Sequence, residues 1–274
     1  MFRMVLQHRR TLTIVTGASK GIGKEIALQM ACTVEKGSAF LITARSESAL
    51  LEVKSQIRER CEDAEVWIVV CDMGNFNDET VLSTFDQILH EITEKEQFYT
   101  MFLYHNCGTV GIINKKASQL CDGSQWRREF DINVVNMIQF NNMVLKYIGE
   151  QVSLRRFIIN ITSLLAIQAF PSLVQYGVTK AAREAFFRGL ACEEPGLRIL
   201  SYSPGPVDTD MHDMVAEQSY DPAIRASFQR HADNEDAGVN RKTLTAQETV
   251  NKLLGIIQKN TFESGSRIDY FDAE

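Results

Sequence analysis

The stretch TLTIVTGASKGIGKEIALQM, which starts at Thr11, restricts the fold more than any other part of the chain. Thr11 to Gly17 is an unbroken β-branched and apolar run, the mark of a strand buried on both faces. Gly17, Gly21 and Gly23 follow, and Ile22, Ile26 and Met30 then recur at helical spacing. Such a strand needs helices above and below its sheet. The rest of the chain supplies them: SAFLITAR, AEVWIVVCD, FYTMFLYHN, RRFIINITS and LRILSYSPG read as further strands, separated by amphipathic segments. TAQETVNKLLGIIQK is a last helix and RIDYF a last strand. The alternation predicts an α/β protein, a three-layer, doubly wound parallel sheet. Trp126 to Ile148 reads as one long helix.

No Pro/Gly/Ser-rich linker or internal repeat divides the 274 residues, so a single domain over 1–274 is expected. Residues 212–242 are polar and irregular, either a loose surface excursion or a lid over a site. A net charge of −6 with interspersed signs argues against a nucleic-acid partner. No apolar run reaches the length of about 18 residues that a membrane span needs. Cys32, Cys61, Cys71, Cys107, Cys121 and Cys192 form no CxxC pair and read as free thiols of a reducing compartment. The histidines show no HExxH spacing, so no metal is expected. MFRMVLQHRR has too short an apolar run for a secretory signal, and a cytoplasmic protein is expected.

The three glycines sit between a strand and a helix in a βαβ unit. There, glycine lets the backbone approach a pyrophosphate, and the helix start offers free N–H groups and a positive dipole end. In NAD-binding versions of this unit an acid at the end of the second strand accepts hydrogen bonds from the ribose hydroxyls. Here that strand ends Thr43-Ala44-Arg45-Ser46. A guanidinium suits a 2′-phosphate, and Lys20 offers a second positive charge, so NADP(H) is the expected cofactor.

Tyr176 and Lys180 stand four apart, on one face of a predicted helix. A cation beside a phenol is expected to lower its pKa, so that Tyr176 protonates a developing alkoxide. Ser163, at the end of a strand 13 residues earlier, is placed to hydrogen-bond the same carbonyl oxygen. Asn133 either holds a water that resupplies the proton or is a buried structural amide.

TGASKGIG, Asp72, Asn106-Cys107-Gly108, Asn133, Ser163, YGVTK and SPGPVDT resemble, in order and spacing, the short-chain dehydrogenase/reductase family from about residue 11 onward. The resemblance implies a single-domain Rossmann fold and a hydride-transfer enzyme. It implies cofactor contacts from Ala18, Ser19, Lys20 and Ile22 besides the glycines, and from Arg45 and Ser46. Asp72 and Met73 would flank the adenine, and Asn106 would support the turn near the cofactor. Lys180 would also hold the nicotinamide ribose. Pro204, Gly205 and Val207 would line the nicotinamide, with Asp208, Thr209, Asp210 and Met211 continuing that wall. One departure is His105 where the family carries a first Asn.

AREAFF, ACEEP, SYSPGPVDTDM and QKNTFESGSRIDYFD further resemble the branch of that family that reduces side-chain ketones of pterins with NADPH, in the final steps of tetrahydrobiopterin synthesis. That implies a pterin ketone as partner molecule and a homodimer built on the long helices. Physically, a pterin ring presents an amino group and an adjacent N–H on one edge, and a carboxylate can accept both. Asp269 leaves its strand on the face opposite Ile268 and Tyr270. If this strand lies beside the sixth, Asp269 is near the sheet's ligand-binding edge and is a candidate ring anchor. Alternatively it is a solvated acid that deters edge-to-edge pairing. Leu164, Leu165, Met211 and Met214 are candidates to pack on the ring. Two rival functions remain: a broad reductase of small ketones and diketones, and a non-catalytic NADP(H)-binding regulator.

Overall fold

A computed structural model describes residues 10–95, 98–148, 155–229 and 243–272. Its seven strands are β1 (Thr11–Thr16), β2 (Ala39–Ala44), β3 (Glu65–Val70), β4 (Thr100–His105), β5 (Arg155–Ile161), β6 (Leu197–Ser203) and β7 (Ser266–Asp269). They form one sheet in the order β3-β2-β1-β4-β5-β6-β7, and every neighbouring pair is parallel. The central strands β1, β2 and β4 are buried along their whole length, as continuous apolar runs require.

Alternate residues feed two apolar layers. On one face Val15, Phe40, Ile42, Phe102, Tyr104 and Ile159 pack against α1 (Gly21–Thr33), α2 (Glu47–Arg60) and, late in the chain, α9 (Ala246–Lys259). On the other, Leu12, Ile14, Leu41, Leu103 and Ile158 meet α3 (Glu79–Lys95), α5 (Asn136–Ile148) and α6 (Val174–Glu193). The three layers and the strand order match the predicted fold class.

The predicted helix from Trp126 to Ile148 is interrupted. α4 (Gly123–Phe130) passes through a π-helical turn, Asp131–Val135, before α5 begins. The buried Asn133 sits in that turn, where its amide is drawn to Thr109 instead of continuing the helical face.

Within the predicted excursion, α7 (Asp210–Gln218) and α8 (Pro222–Ser227) form a helical pair. Thr209 and Asp221 cap them through side-chain oxygens. Val215 and Ile224 pack with Val110, Ile113 and Leu173 in a small separate cluster. The remainder, 230–242, lies outside the described residues. All six cysteines are free thiols. Among the described residues no helix is long and apolar enough to cross a membrane.

Candidate active site

The strand order reverses between β1 and β4, and parallel sheets bind ligands at such a seam. The glycine turn lies there. Gly17 has φ +69° and Gly21 φ +55°, in the left-handed region that side chains avoid. The Gly17 and Ala18 amides donate to the Thr43 carbonyl at 2.8 and 3.1 Å, tying the turn to β2. Asn106 supports it from β4, its side-chain amide donating to the Thr16 and Gly17 carbonyls at 3.1 Å. A Cβ on Gly23 would lie 2.3 Å from the Gly17 oxygen, so only glycine lets α1 come this close. α1 begins without a capping side chain, which leaves its first amides for an anion. This cradle fits a dinucleotide phosphate.

A cavity of about 980 Å³ runs from this turn across the carboxyl ends of the strands. Ser19, Lys20 and Ile22 line its near end with Gly17 and Gly21. Ala18 and Gly23 are not among the lining residues: they lie behind the turn and serve its packing. Arg45 is exposed on the wall beyond β2. Ser46 lines the cavity and also caps α2 by accepting from the Ala49 amide. Asp72, which accepts from the Gly74 amide at 3.0 Å, and the buried Met73 form the wall beyond β3. Lys20 pairs with Asp210, the first residue of α7, and both side chains are exposed.

The reactive group gathers farther along the same cavity. Ser163 follows β5 and caps a 3-10 turn, Leu164–Ala166, accepting from the Leu165 amide at 3.2 Å. With an acceptor lone pair so engaged, its O–H is left to donate outward. Tyr176 lies in the first turn of α6 and Lys180 one turn later. Gly177 brings α6 against the serine turn, since a Cβ there would stand 2.9 Å from the Leu165 carbonyl oxygen. Lys180 donates to the Ile161 carbonyl at 2.6 Å, and its Nζ lies 5.3 Å from the Tyr176 ring centre. Ser163, Tyr176 and Lys180 all line the cavity.

The electrostatics differ from expectation. Tyr176 is half-buried, with one side open on the cavity, yet burial pushes its phenol up to about 12. What opposes that rise is the Arg183 guanidinium, not Lys180. Lys180 is itself held well below its ordinary value, by burial first and by Arg183 second. The expected lowering of the tyrosine by its lysine neighbour therefore does not hold. Sequence reading overlooked Arg183. It is wholly buried and donates to Asn160 Oδ1 at 2.8 Å, the Cys107 carbonyl at 2.9 Å and the His105 carbonyl at 2.6 Å. Its signal was available: it stands seven residues after Tyr176 and three after Lys180, on the same face of α6.

Asn133 does not face the cavity. Its Oδ1 accepts from the Thr109 amide at 2.8 Å, and its Nδ2 donates to the Thr109 carbonyl and the Thr179 hydroxyl. Of the two roles expected of Asn133, these bonds favour the buried structural amide. Leu164, Leu165, Pro204, Gly205, Val207, Asp208, Thr209 and Met211 line the cavity. Met214 does not, being exposed on α7. Val110, Phe170, Leu173, Ile224 and Phe228 give the far end an apolar wall that the sequence did not reveal. The final strand does lie beside the sixth, with Asp269 opposite Ser203. Asp269 faces neither water nor the cavity. It is buried behind Ser203, which lines the wall and donates to it at 2.6 Å.

A family model for short chain dehydrogenases matches residues 11–219. The sepiapterin reductase of Mus musculus is 32% identical over 259 residues, covering 94% of this chain and 96% of its own. That of Xenopus laevis is 28% identical, covering 95% of each. Among solved structures, the KRED1-Pglu enzyme superposes with a TM-score of 0.75 at 23% identity, over 94% of this chain and all of its own. A 3-oxoacyl-[acyl-carrier protein] reductase from Brucella melitensis, in complex with NAD, gives 0.72 at 22%, over 95% of each chain. These two likenesses concern the fold; the family follows from the model match and the full-length relatives. The chain belongs to the short-chain dehydrogenase/reductase family of nicotinamide-dependent oxidoreductases and, within it, closely resembles sepiapterin reductase.

Proposed function

We propose that this protein is an NADPH-dependent reductase of side-chain ketones of pterins, acting in the final steps of tetrahydrobiopterin synthesis. The observation that carries the reading is Ser163, Tyr176 and Lys180 on one wall of a cavity whose far end is apolar, in a chain whose relatives match it end to end. The whole chain acts as one domain, with α7 and α8 as the lid. A homodimer built on the long helices, in the cytoplasm, completes the proposal.

The bound nicotinamide supplies the hydride. Ser163 donates its O–H to the substrate carbonyl and fixes its direction. Tyr176, a phenol that carries its proton at neutral pH, gives that proton to the oxygen as the alkoxide develops. Lys180, anchored on the Ile161 carbonyl, holds the ribose and packs beside the phenol. Proximity of the two reactants within one enclosed cavity supplies much of the rate.

Arg45 supports NADPH over NADH, because it is an exposed cation on the cavity wall beyond β2, where NAD-binding versions of the unit carry an acid. Arg45→Ala is expected to weaken NADPH by roughly tenfold while changing NADH little, as the loss of a charge-assisted phosphate contact implies. Dissociation constants for both cofactors check this; an unchanged ratio moves the phosphate clamp elsewhere.

Activity with sepiapterin against a panel of non-pterin ketones tests the substrate class. A marked preference for the pterin supports the proposal, and equal turnover of simple diketones replaces it with a broad carbonyl reductase. One observation favours that second reading: Asp269 lies behind the wall, not on it. Asp269 meets the site only through Ser203, so any anchoring of the ring is indirect, and a rise in the sepiapterin KM in Asp269→Asn supports it. A parallel change for a small diketone would sink the anchor role.

A further inference from the structure

The cavity wall carries four acidic side chains, Asp72, Glu129, Asp208 and Asp210. Asp72 stands beyond β3, Asp208 is exposed, and Asp210 pairs with Lys20 at the glycine turn. Glu129 is placed differently. It is half-buried near the end of α4, one turn before the buried Asn133. Two contacts put it beside the catalytic helix. The Thr109 hydroxyl donates to Glu129 Oε2, and the same loop is held to α6 where the Ile112 amide donates to Gln175 Oε1 at 2.9 Å. Gln175 immediately precedes Tyr176. Between these contacts runs Gly111, at φ +70°. A Cβ there would stand 2.7 Å from Gln175 Oε1 and 3.3 Å from the Glu129 carboxyl carbon. The carboxylate and the residue before Tyr176 therefore flank one bare stretch of backbone.

Thr109 takes up one oxygen of Glu129. The other, Oε1, has no hydrogen-bond partner among the described residues. A carboxylate accepts through about four lone-pair sites, so most of its capacity is left for a donor. The wall next to Thr109 is apolar, with Val110 packed with Leu173. A hydrogen bond to a charged oxygen is stronger where water is scarce. Arg128, the other charge that α4 offers the cavity, is exposed and so more fully screened. Holding the Thr109 loop needs only a neutral amide; a carboxylate on the wall fits a donor that arrives with the ligand.

We propose that Glu129 is a specificity-determining residue. Its Oε1 accepts a hydrogen bond from a ring N–H or amino group of the substrate, and so selects planar heterocyclic ketones that carry such a donor over ketones that lack one. This rests on ketone reduction at Ser163 and Tyr176, and not on the ring being a pterin.

The test compares isatin with N-methylisatin, two flat ketones that differ in whether the ring nitrogen carries hydrogen or methyl. KM and kcat are measured at saturating NADPH in the wild-type protein, Glu129→Met and Glu129→Gln, with sepiapterin as a third substrate. Glu129→Met is expected to lower the isatin-to-N-methylisatin ratio of kcat/KM by roughly tenfold, mainly through the isatin KM, as loss of a hydrogen bond to a charged group implies. Glu129→Gln keeps an acceptor oxygen and should recover part of it. The methyl group adds its bulk in every variant, so the change in the ratio reads the bond alone. Equal losses on both isatins, or none, overturn the proposal and leave Glu129 as a prop for the Thr109 loop. Sepiapterin separates this result from the wider reading. If the wild-type protein turns over sepiapterin no better than simple diketones while the ratio still falls, the pterin class fails and Glu129 stands. If sepiapterin is preferred and the ratio holds, the class stands and Glu129 fails. Should Glu129→Met not fold, Glu129→Gln decides: a fall of about threefold in the ratio supports the bond, and a ratio like the wild type removes it.

Discussion

Tyr176→Phe is expected to lower kcat for ketone reduction by on the order of a thousandfold, the range that general-acid groups contribute. The substitution removes one O–H and nothing else. The ring that packs beside Lys180 remains, and so does the lysine's bond to the Ile161 carbonyl. NADPH affinity, measured by titration without substrate, should therefore stay within about twofold. Ser163 keeps its bond from the Leu165 amide, so substrate orientation survives as well. The combination of lost turnover and retained cofactor binding marks a proton donor. Turnover like the wild type would reject Tyr176 in that role. It would also restore interest in a cofactor-binding regulator, which needs no proton donor.

Gly23→Ala carries the largest expected effect on the fold. The added carbon would meet the Gly17 oxygen at 2.3 Å and the Asn106 amide nitrogen at 2.5 Å. One obstacle is backbone, and the other is a side chain held by two carbonyls, so neither can step aside. A cost of about 3 kcal/mol or more is expected in urea unfolding, from overpacking at a site that cannot relax. NADPH affinity should fall with it, because relief comes only by displacing the glycine turn. Gly189→Ala is the internal control. It lies in α6 with nothing within 4 Å of its would-be Cβ, and should stabilise by about 0.5–1 kcal/mol through the lost freedom of the unfolded chain. Equal stabilities for the two variants would remove the packing argument.

The strands and most helices are legible in the sequence because each is a local pattern: unbroken apolar runs such as TMFLYH, and the 3.6 spacing of Ile22, Ile26 and Met30. The glycine turn and the Ser163, Tyr176 and Lys180 set are legible for the same reason, since chemistry fixes their residue types and spacing. What escapes the sequence depends on contacts between distant segments. The π-helical turn carries Asn133, whose side chain bonds to Thr109, 24 residues away. The tyrosine's pKa depends on how deeply the phenol is desolvated and on Arg183, neither of which shows in a four-residue motif. Lys20 pairs with Asp210, 190 positions later. Period-two alternation gave the correct face for Asp269, but it could not show that Ser203 and Arg267 occupy the space there.

The parallel pairing of the sheet also has a kinetic consequence. No strand finds its partner through a tight hairpin. β1 pairs with β2 soon after it in the chain, but its other edge, Thr11 to Val15, waits for Thr100 to Tyr104 of β4. A chain assembled only as far as β3 already holds the glycine turn, yet it lacks the Asn106 support and the far wall of the cleft. Loop closure over that distance is slow compared with folds rich in local contacts. The cleft is complete only once the β1–β4 seam has closed. A dinucleotide recognises only the completed sheet and acts by mass action as a clamp on the finished state, leaving the early steps of assembly unassisted.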